Sequence, residues 1–277
     1  VTNDLTITGN VGLVGATADI ADLKISDGKS LTITGTVDVV DLTLGSSTGT
    51  GTQAVTFKGA TVVINDLILF HDAANATRSI TFDASNNDIS ATVAISTSTT
   101  DTGDTNNISF IGGTTNTTTY NSAIVTADEI DSILVGSSTQ AGKAELRMAT
   151  AVTAYTLNDT AGSSTLSFNA TEGAKAIAGT INGTAAGKGT LSVYDDDADA
   201  AADTFTFAGV VGGTGSLKAV NIGNTTQGGS ATFSAAVSAT DILLTGGNDA
   251  AEDANATFAA AVTATTITLD DTASGGS

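Results

Sequence analysis

The sequence predicts an all-β protein of the parallel β-solenoid class. The segment ATFSAAVSATDILL at 231–244 returns one period later as ATFAAAVTATTITL at 256–269, identical at ten of fourteen positions. A period of about 25 residues is typical of one supersecondary unit stacked on copies of itself. The chain is also rich in Thr and Val, contains 31 Gly and lacks Pro, a composition that favours strands separated by tight bends.

The first hundred residues carry the unit most plainly. Its copies begin LTITG at residue 5, LTITG at 31, VTFKG at 55 and ITFDA at 80. The apolar positions Ile7, Ile33, Phe57 and Phe82 mark the same point in each copy, one period apart. The whole chain therefore predicts about eleven coils of about 25 residues each.

Each unit divides into short strands. Leu and Ile alternate with Thr in the opening strand, as the two-residue period of a strand requires, and Gly9 or Gly35 marks the following bend. A second short strand follows at Val11 or Val37, and a third begins at an Asp whose side chain can bond the backbone as the chain turns. This pattern suits three parallel strands per coil, with the strand-initiating aspartates at Asp22, Asp41, Asp66 and Asp241.

The repeat is regular at both ends of the chain and irregular in the middle. We expect regular coils over 1–98, irregular coils or a lateral insertion over 99–150, and coils with an acidic loop over 151–277. The positions Phe207, Phe233 and Phe258 restore the spacing of the first coils.

Tandem immunoglobulin-like β-sandwiches are the alternative fold. Asp27-Gly28 lies between two alternating segments, and a two-residue Asp-Gly turn of this kind is typical of a β-hairpin. Sandwich domains, however, span about 100 residues, which is far longer than the period of this chain. The short period therefore favours the solenoid.

The charge balance excludes some classes of partner. Nine Lys plus Arg stand against 29 Asp plus Glu, which gives a formal net charge of −20. A surface of this kind repels phosphate backbones and anionic lipids, so nucleic acid is not an expected partner. Membrane insertion is not expected either, because no apolar segment approaches the roughly 20 residues that a helical span needs.

No catalytic constellation is evident in the sequence. His71 is the only histidine, and no nucleophile-elbow motif accompanies it, so a turn residue is the expected role. Zinc sites of the usual kinds need several His or Cys, and the chain has no Cys. Paired carboxylates at 195–197 and 270–271 leave a polysaccharide-active β-helix enzyme as a minor alternative. We therefore predict that the chain is not an enzyme.

Calcium is the cofactor for which the sequence offers ligands. The loop YDDDADAAAD at 194–203 concentrates five carboxylates among small residues, and clustered hard oxygen ligands can hold Ca²⁺. A solvated acidic loop is the competing interpretation. The candidate calcium ligands are Asp195, Asp196, Asp197, Asp199 and Asp203.

The opening Thr-x-Thr strands suggest a flat array of hydroxyl groups. Thr6 and Thr8 are followed one coil later by Thr32 and Thr34. The next two coils carry Lys58 and Asp83 at the second of these positions, which interrupts the array. The interruption disfavours an ice-binding function.

The pattern L-T-I-T-G-x-V with D-L-x-L, in an acidic chain without Cys, resembles the repetitive β-helical regions of bacterial cell-surface proteins: autotransporter passengers, large adhesins and surface-layer proteins. The likeness covers about residues 1–98 and 200–271. It implies export, an extracellular or cell-surface location, and a scaffold or adhesive role. No catalytic residue of such families maps onto this chain.

The ends of the predicted solenoid indicate self-association. A solenoid needs polar caps because its terminal coils otherwise expose open strand edges, and the sequence shows no cap at either end. We therefore expect either a piece of a longer chain or a structural subunit of an extracellular surface layer, sheath or filament that assembles through the ends or sides of the solenoid. The alternative is a cell-surface adhesin, similar to an autotransporter passenger, whose irregular 99–150 segment binds a receptor or a host or cell-surface glycan.

Overall fold

A computed structural model describes residues 3–12, 20–46, 51–69, 76–97, 105–124, 130–159, 163–170, 173–195, 203–247 and 253–270. These residues form 22 β-strands. The strands are β1 (Leu5–Ile7), β2 (Ile20–Ile25), β3 (Ser30–Ile33), β4 (Val37–Leu44), β5 (Thr52–Phe57), β6 (Thr61–Leu69), β7 (Thr77–Asp83), β8 (Ile89–Thr97), β9 (Thr105–Ile111), β10 (Thr118–Tyr120), β11 (Ser132–Val135), β12 (Lys143–Leu146), β13 (Thr150–Leu157), β14 (Thr165–Ala170), β15 (Lys175–Gly183), β16 (Thr190–Asp195), β17 (Thr204–Phe207), β18 (Leu217–Ile222), β19 (Gly229–Phe233), β20 (Val237–Thr245), β21 (Ala254–Phe258) and β22 (Val262–Asp270).

The strands stack as a parallel β-solenoid, which confirms the predicted fold class. The odd-numbered strands form one eleven-stranded sheet and the even-numbered strands form another. Neighbours within each sheet are parallel, as in β1 with β3 and β2 with β4. The sandwich alternative is therefore wrong: Asp27 and Gly28 join β2 to β3, which belong to different sheets and do not pair as a hairpin.

Two columns of paired residues run through the whole described solenoid, one residue per coil. All of their members are buried except Leu5, Val262 and Leu269, which lie in the terminal coils. The column that defines the first face is Leu5, Leu31, Val55, Ile80, Ile108, Ile133, Tyr155, Ile181, Val211, Val237 and Val262. The column that defines the second face is Val11, Val37, Val62, Ala91, Tyr120, Leu146, Phe168, Val193, Ile222, Leu244 and Leu269.

A third face completes each coil, because the long strands bend. In β4 the buried residues include Val37, Val39, Leu42 and Leu44, so the two-residue alternation breaks at the exposed Val40. A strand whose inward parity changes in this way has turned a corner. The third face is defined by Ile25, Leu44, Leu69 and Thr97 and, later in the chain, by Ile124, Thr150, Ile177, Phe207, Phe233 and Phe258.

The core is filled by aliphatic side chains with two short aromatic stacks. The rings of Phe82 and Phe110 are stacked with centroids 5.5 Å apart. In the C-terminal coils Phe207, Phe233 and Phe258 continue the same arrangement at 5.0 and 5.2 Å. These separations lie within the range in which aromatic pairs attract, so identical positions in successive coils stabilise one another.

Glycines allow adjacent coils to approach closely at corners, between the first and second faces in the N-terminal half and between the third and first faces in the C-terminal half. A Cβ atom added to Gly35 would overlap the backbone of Gly9, and one added to Gly59 would overlap the carbonyl group of Gly35. Later in the chain, a Cβ on Gly209 would overlap the carbonyl oxygen of Gly179. The repeated glycine is therefore required by lack of space between adjacent coils.

The repeat motif changes face between the two halves of the chain. In the N-terminal half Ile33 lies on the first face, Val37 on the second and Leu44 on the third. In the C-terminal half the matching Phe233 lies on the third face and Val237 on the first. The change occurs where β13 and β15 each cross the corner between the third and first faces, so that their two halves pair with different neighbours.

Polar side chains form one buried column at the corner that precedes the first face. Gln53, Arg78 and Asn106 pair in register and are at most 1% exposed. The Nε2 of Gln53 donates to Asp27 at 3.2 Å, and the backbone N–H of Asn106 donates to Asp131 at 2.7 Å. Buried groups of this kind are costly to misalign, so the column helps to fix the register of these coils.

The corner glycines provide a test of coil spacing. We expect Gly59→Ala to lower the free energy of unfolding by about 1–3 kcal/mol, because the new methyl group forces adjacent coils apart. At a protein concentration that keeps both variants monomeric, Gly9→Ala is the matched control, since no atom of the same molecule lies within 4 Å of its added Cβ. Urea denaturation followed by circular dichroism measures both. Equal stability of the two variants would contradict the proposed packing.

Candidate functional site

The structure describes only part of the predicted calcium loop. Asp195 ends β16 and Asp203 precedes β17, and both are at most 9% exposed. The backbone N–H of Asp203 donates to Oδ2 of Asp195 at 3.0 Å, so the two ends of the loop are held together. Asp196, Asp197 and Asp199 lie outside the described residues, as does His71.

The calcium assignment therefore stays a prediction. Within the described ranges, no group of three or more His, Cys, Asp or Glu side chains is arranged to hold a metal ion. Three of the five candidate ligands fall outside those ranges.

Both arginines contribute to the packing or hydrogen bonding of the solenoid. Arg78 is fully buried in the polar column. Arg147 donates from Nε to Oε1 of Glu145 at 2.8 Å, and Glu145 also accepts from Asn169 at 3.2 Å and from the hydroxyl of Tyr194 at 2.7 Å. Glu145, Asn169 and Tyr194 lie on β12, β14 and β16, which are neighbours in one sheet. The cluster therefore links three successive coils on the outer side of the second face.

The aspartates predicted to begin strands lie inside strands instead, and three of them form a ladder of like charge. Asp22, Asp41 and Asp66 pair in register on consecutive coils. Partial desolvation, together with the neighbouring Asp22 and Asp66, raises the pKa of Asp41 above its ordinary value. Asp241 differs, because it pairs with Ala219 and Thr266 after the motif has changed face.

A groove lies on the outer side of the first face. Its volume is about 410 Å³. It lies across the strands of four successive coils, from Thr81 in β7 to Asn158 just after β13. The lining residues are Thr81, Ser109, Ile111, Leu134, Gly136, Ser137, Ser138 and Asn158.

On the outer side of the first face, residues that pair in register form rows that run from coil to coil and consist mainly of polar residues. The groove lies where two of these rows carry an apolar residue instead. One row reads Thr6, Thr32, Thr56, Thr81, Ser109, Leu134, Thr156 and Asn182. Leu134 is the apolar member of this row. Ile111 lies in the adjacent row, beside Asp83 of the preceding coil. Asp83 forms an ion pair of 2.7 Å with Lys58, which lies one coil earlier still. Two outward apolar side chains thus form the floor of the groove.

One wall of the groove is the turn GSSTQAG at 136–142. The Oγ of Ser137 accepts hydrogen bonds from the backbone N–H groups of Thr139 and Gln140 at 3.2 and 3.0 Å. The side chain of Gln140 reaches across to Ser85 at 3.2 Å. Gly136 adopts φ 82°, a left-handed conformation that favours glycine. The wall is therefore fixed by its own hydrogen bonds.

The same turn recurs as GNTTQGG at 223–229, a match that the sequence analysis did not find. Oδ1 of Asn224 replaces the hydroxyl of Ser137 and accepts from Thr226 and Gln227 at 2.8 and 3.0 Å. The first turn joins the first face to the second, and the other joins the second to the third. The signal was the shared spacing of Gly, Thr, Gln and Gly, which a comparison based on apolar positions overlooks.

Comparison with known proteins identifies no relative of this chain. No family model matches it, and neither a curated protein nor a solved structure is significantly similar to it. Over the described residues, no helix has the length and apolar character needed to cross a membrane.

The aspartate ladder predicts a specific pH dependence. A carboxyl group with a raised pKa in the folded state favours folding most at low pH, and this contribution is lost as the pH rises through that pKa. We therefore expect Asp41→Asn to raise the melting temperature at pH 7, with the gain shrinking at pH 3 and in high salt. Thermal denaturation monitored by circular dichroism gives the values. Asp241→Asn is the control, and an equal gain in that variant would refute the ladder explanation.

Proposed function

We propose that this protein is a structural subunit of an extracellular surface layer, sheath or filament, in which copies stack end to end. The observation that supports this proposal most is the continuity of the apolar columns up to both described ends of the solenoid. Two core positions that are buried in every inner coil are exposed in the terminal coils, since Leu5 is 45% exposed and Leu269 is 64% exposed, whereas Val11 is buried. Exposed strand edges with apolar sides favour pairing with another chain.

The two ends are complementary in register and chemistry. Continuing the first-face column across a junction would place Val262 of one copy beside Leu5 of the next. Continuing the second-face column would place Leu269 beside Val11. Each junction joins an apolar residue to an apolar residue and one parallel strand edge to another, as every internal junction does. Such a contact uses different surfaces on the two copies, so it extends into a filament unless the rotation closes a ring.

Gly9 lies on the end that would receive another copy. The added Cβ atoms of Gly35 and Gly59 point at the preceding coil, and the equivalent atom on Gly9 meets nothing within 4 Å. A side chain at Gly9 would therefore project from the N-terminal end of the solenoid. It would separate stacked copies, and its Cβ would not touch its own molecule.

This geometry gives a test of assembly. We expect the wild-type protein to form concentration-dependent, head-to-tail oligomers in sedimentation velocity experiments. Gly9→Leu should shift the distribution to monomer, because the side chain occupies the space of the incoming coil, and it should leave the circular dichroism spectrum unchanged. Thr206→Leu, which adds the same side chain to an outward position of β17, is the matched control.

Two results would refute end-to-end stacking. One is a wild-type protein that stays monomeric at the highest soluble concentration, with and without calcium. The other is a Gly9→Leu variant that assembles like the wild type while remaining folded.

Calcium enters this proposal as a stabiliser of the 195–203 loop. If the loop binds Ca²⁺, the ion raises the melting temperature because it binds the folded state alone. Asp195→Asn and Asp203→Asn should each remove that increase. Differential scanning calorimetry with calcium and with magnesium measures the effect, and an unchanged melting temperature in wild-type protein would rule calcium out.

A further inference from the structure

We infer that the groove on the first face binds a neutral oligosaccharide. None of the eight described residues that line the groove is ionisable, although the chain as a whole carries a net charge of −20. The nearest charged groups in the adjacent row, Lys58 and Asp83, are bound to each other. A charged ligand would therefore find no counter-charge in the groove, whereas a neutral ligand needs none.

The distribution of polar and apolar groups fits the two kinds of surface on a sugar. Leu134 and Ile111 offer an apolar floor for the C–H side of a sugar ring. The hydroxyl groups of Thr81, Ser109 and Ser138 make no protein hydrogen bond within the described residues, so they are available to sugar hydroxyls. Hydroxyl side chains can both donate and accept, as sugar hydroxyls do.

The shape of the groove favours a linear ligand that follows the solenoid axis. The groove crosses four coils, which corresponds to a length of about 14 Å at the usual spacing of paired strands. Its floor consists of paired strands, and its wall is the hydrogen-bonded turn at 136–142. Little ordering is therefore needed when a ligand binds.

Leu134 and Ile111 are apolar residues in rows that are otherwise mainly polar, so replacing either with Thr is a conservative change. Thr is the residue at the position of Leu134 in the next coil, Thr156, and two coils earlier, Thr81. Leu134→Thr and Ile111→Thr thus restore the ordinary polar pattern on outward positions and should fold like the wild type. Val63→Thr is the matched control, since Val63 is an outward residue of β6 that does not line the groove.

The experiment measures binding of defined tetrasaccharides to the full chain by saturation-transfer and chemical-shift NMR. The probes are cellotetraose, mannotetraose, chitotetraose and, as the charged comparison, tetragalacturonate. We expect at least one neutral tetrasaccharide to bind, tetragalacturonate to bind at least tenfold more weakly, and Leu134→Thr or Ile111→Thr to weaken binding about tenfold. Val63→Thr should bind like the wild type.

Three outcomes would overturn the assignment. They are the absence of binding by every neutral tetrasaccharide, equal binding of tetragalacturonate, and binding that persists unchanged in both groove variants. If the groove variants instead abolish oligomers while no sugar binds, the groove is a contact between copies. Because the end-to-end proposal depends on Gly9 and the terminal coils, the sugar assignment and the stacking proposal can fail independently.

Discussion

In-register parallel pairing between successive coils is the constraint on which the rest of this structure depends. Along the first and second faces, each inner coil places an apolar or aromatic side chain beside its equivalent in the coil before and the coil after. Glycine at a corner is then required where backbones meet, as at Gly35 and Gly59. Outward positions carry no such requirement, so they can vary between hydroxyl, charged and apolar residues without loss of the fold.

Both functional proposals follow from this division between inner and outer positions. Each inward residue of an inner coil packs against an equivalent residue in the coil on either side. Among the described residues, a terminal coil has such a neighbour on one side alone, and end-to-end stacking would supply the other. The outer rows are free to acquire a site, and Leu134 and Ile111 mark the place where a neutral groove interrupts rows of Thr, Ser and charged residues. A rod that displays a sugar-binding groove at regular intervals would combine the two properties.

The sequence predicted the fold class and the period, and marker positions such as Ile33, Phe57 and Phe82 are buried, because apolar spacing records coil-to-coil pairing directly. It did not predict that the motif changes face between Ile33 and Phe233. All three faces require inward apolar residues at the same alternating spacing, so the motif suits any of them. The groove was also missed. Its polar members lie far apart in the chain, from Thr81 to Asn158, and come together only when four coils are stacked.

Electron cryomicroscopy of assembled protein tests the central claim, that the apolar columns continue from one copy to the next. The account predicts filaments with strands perpendicular to the axis at a spacing of about 4.8 Å and an axial subunit repeat of about 50 Å, equal to the height of eleven coils. It also predicts density in which Val262 of one copy lies beside Leu5 of the next. Filaments or sheets whose copies meet through the sides of the solenoid, with the terminal coils uncovered, would contradict it.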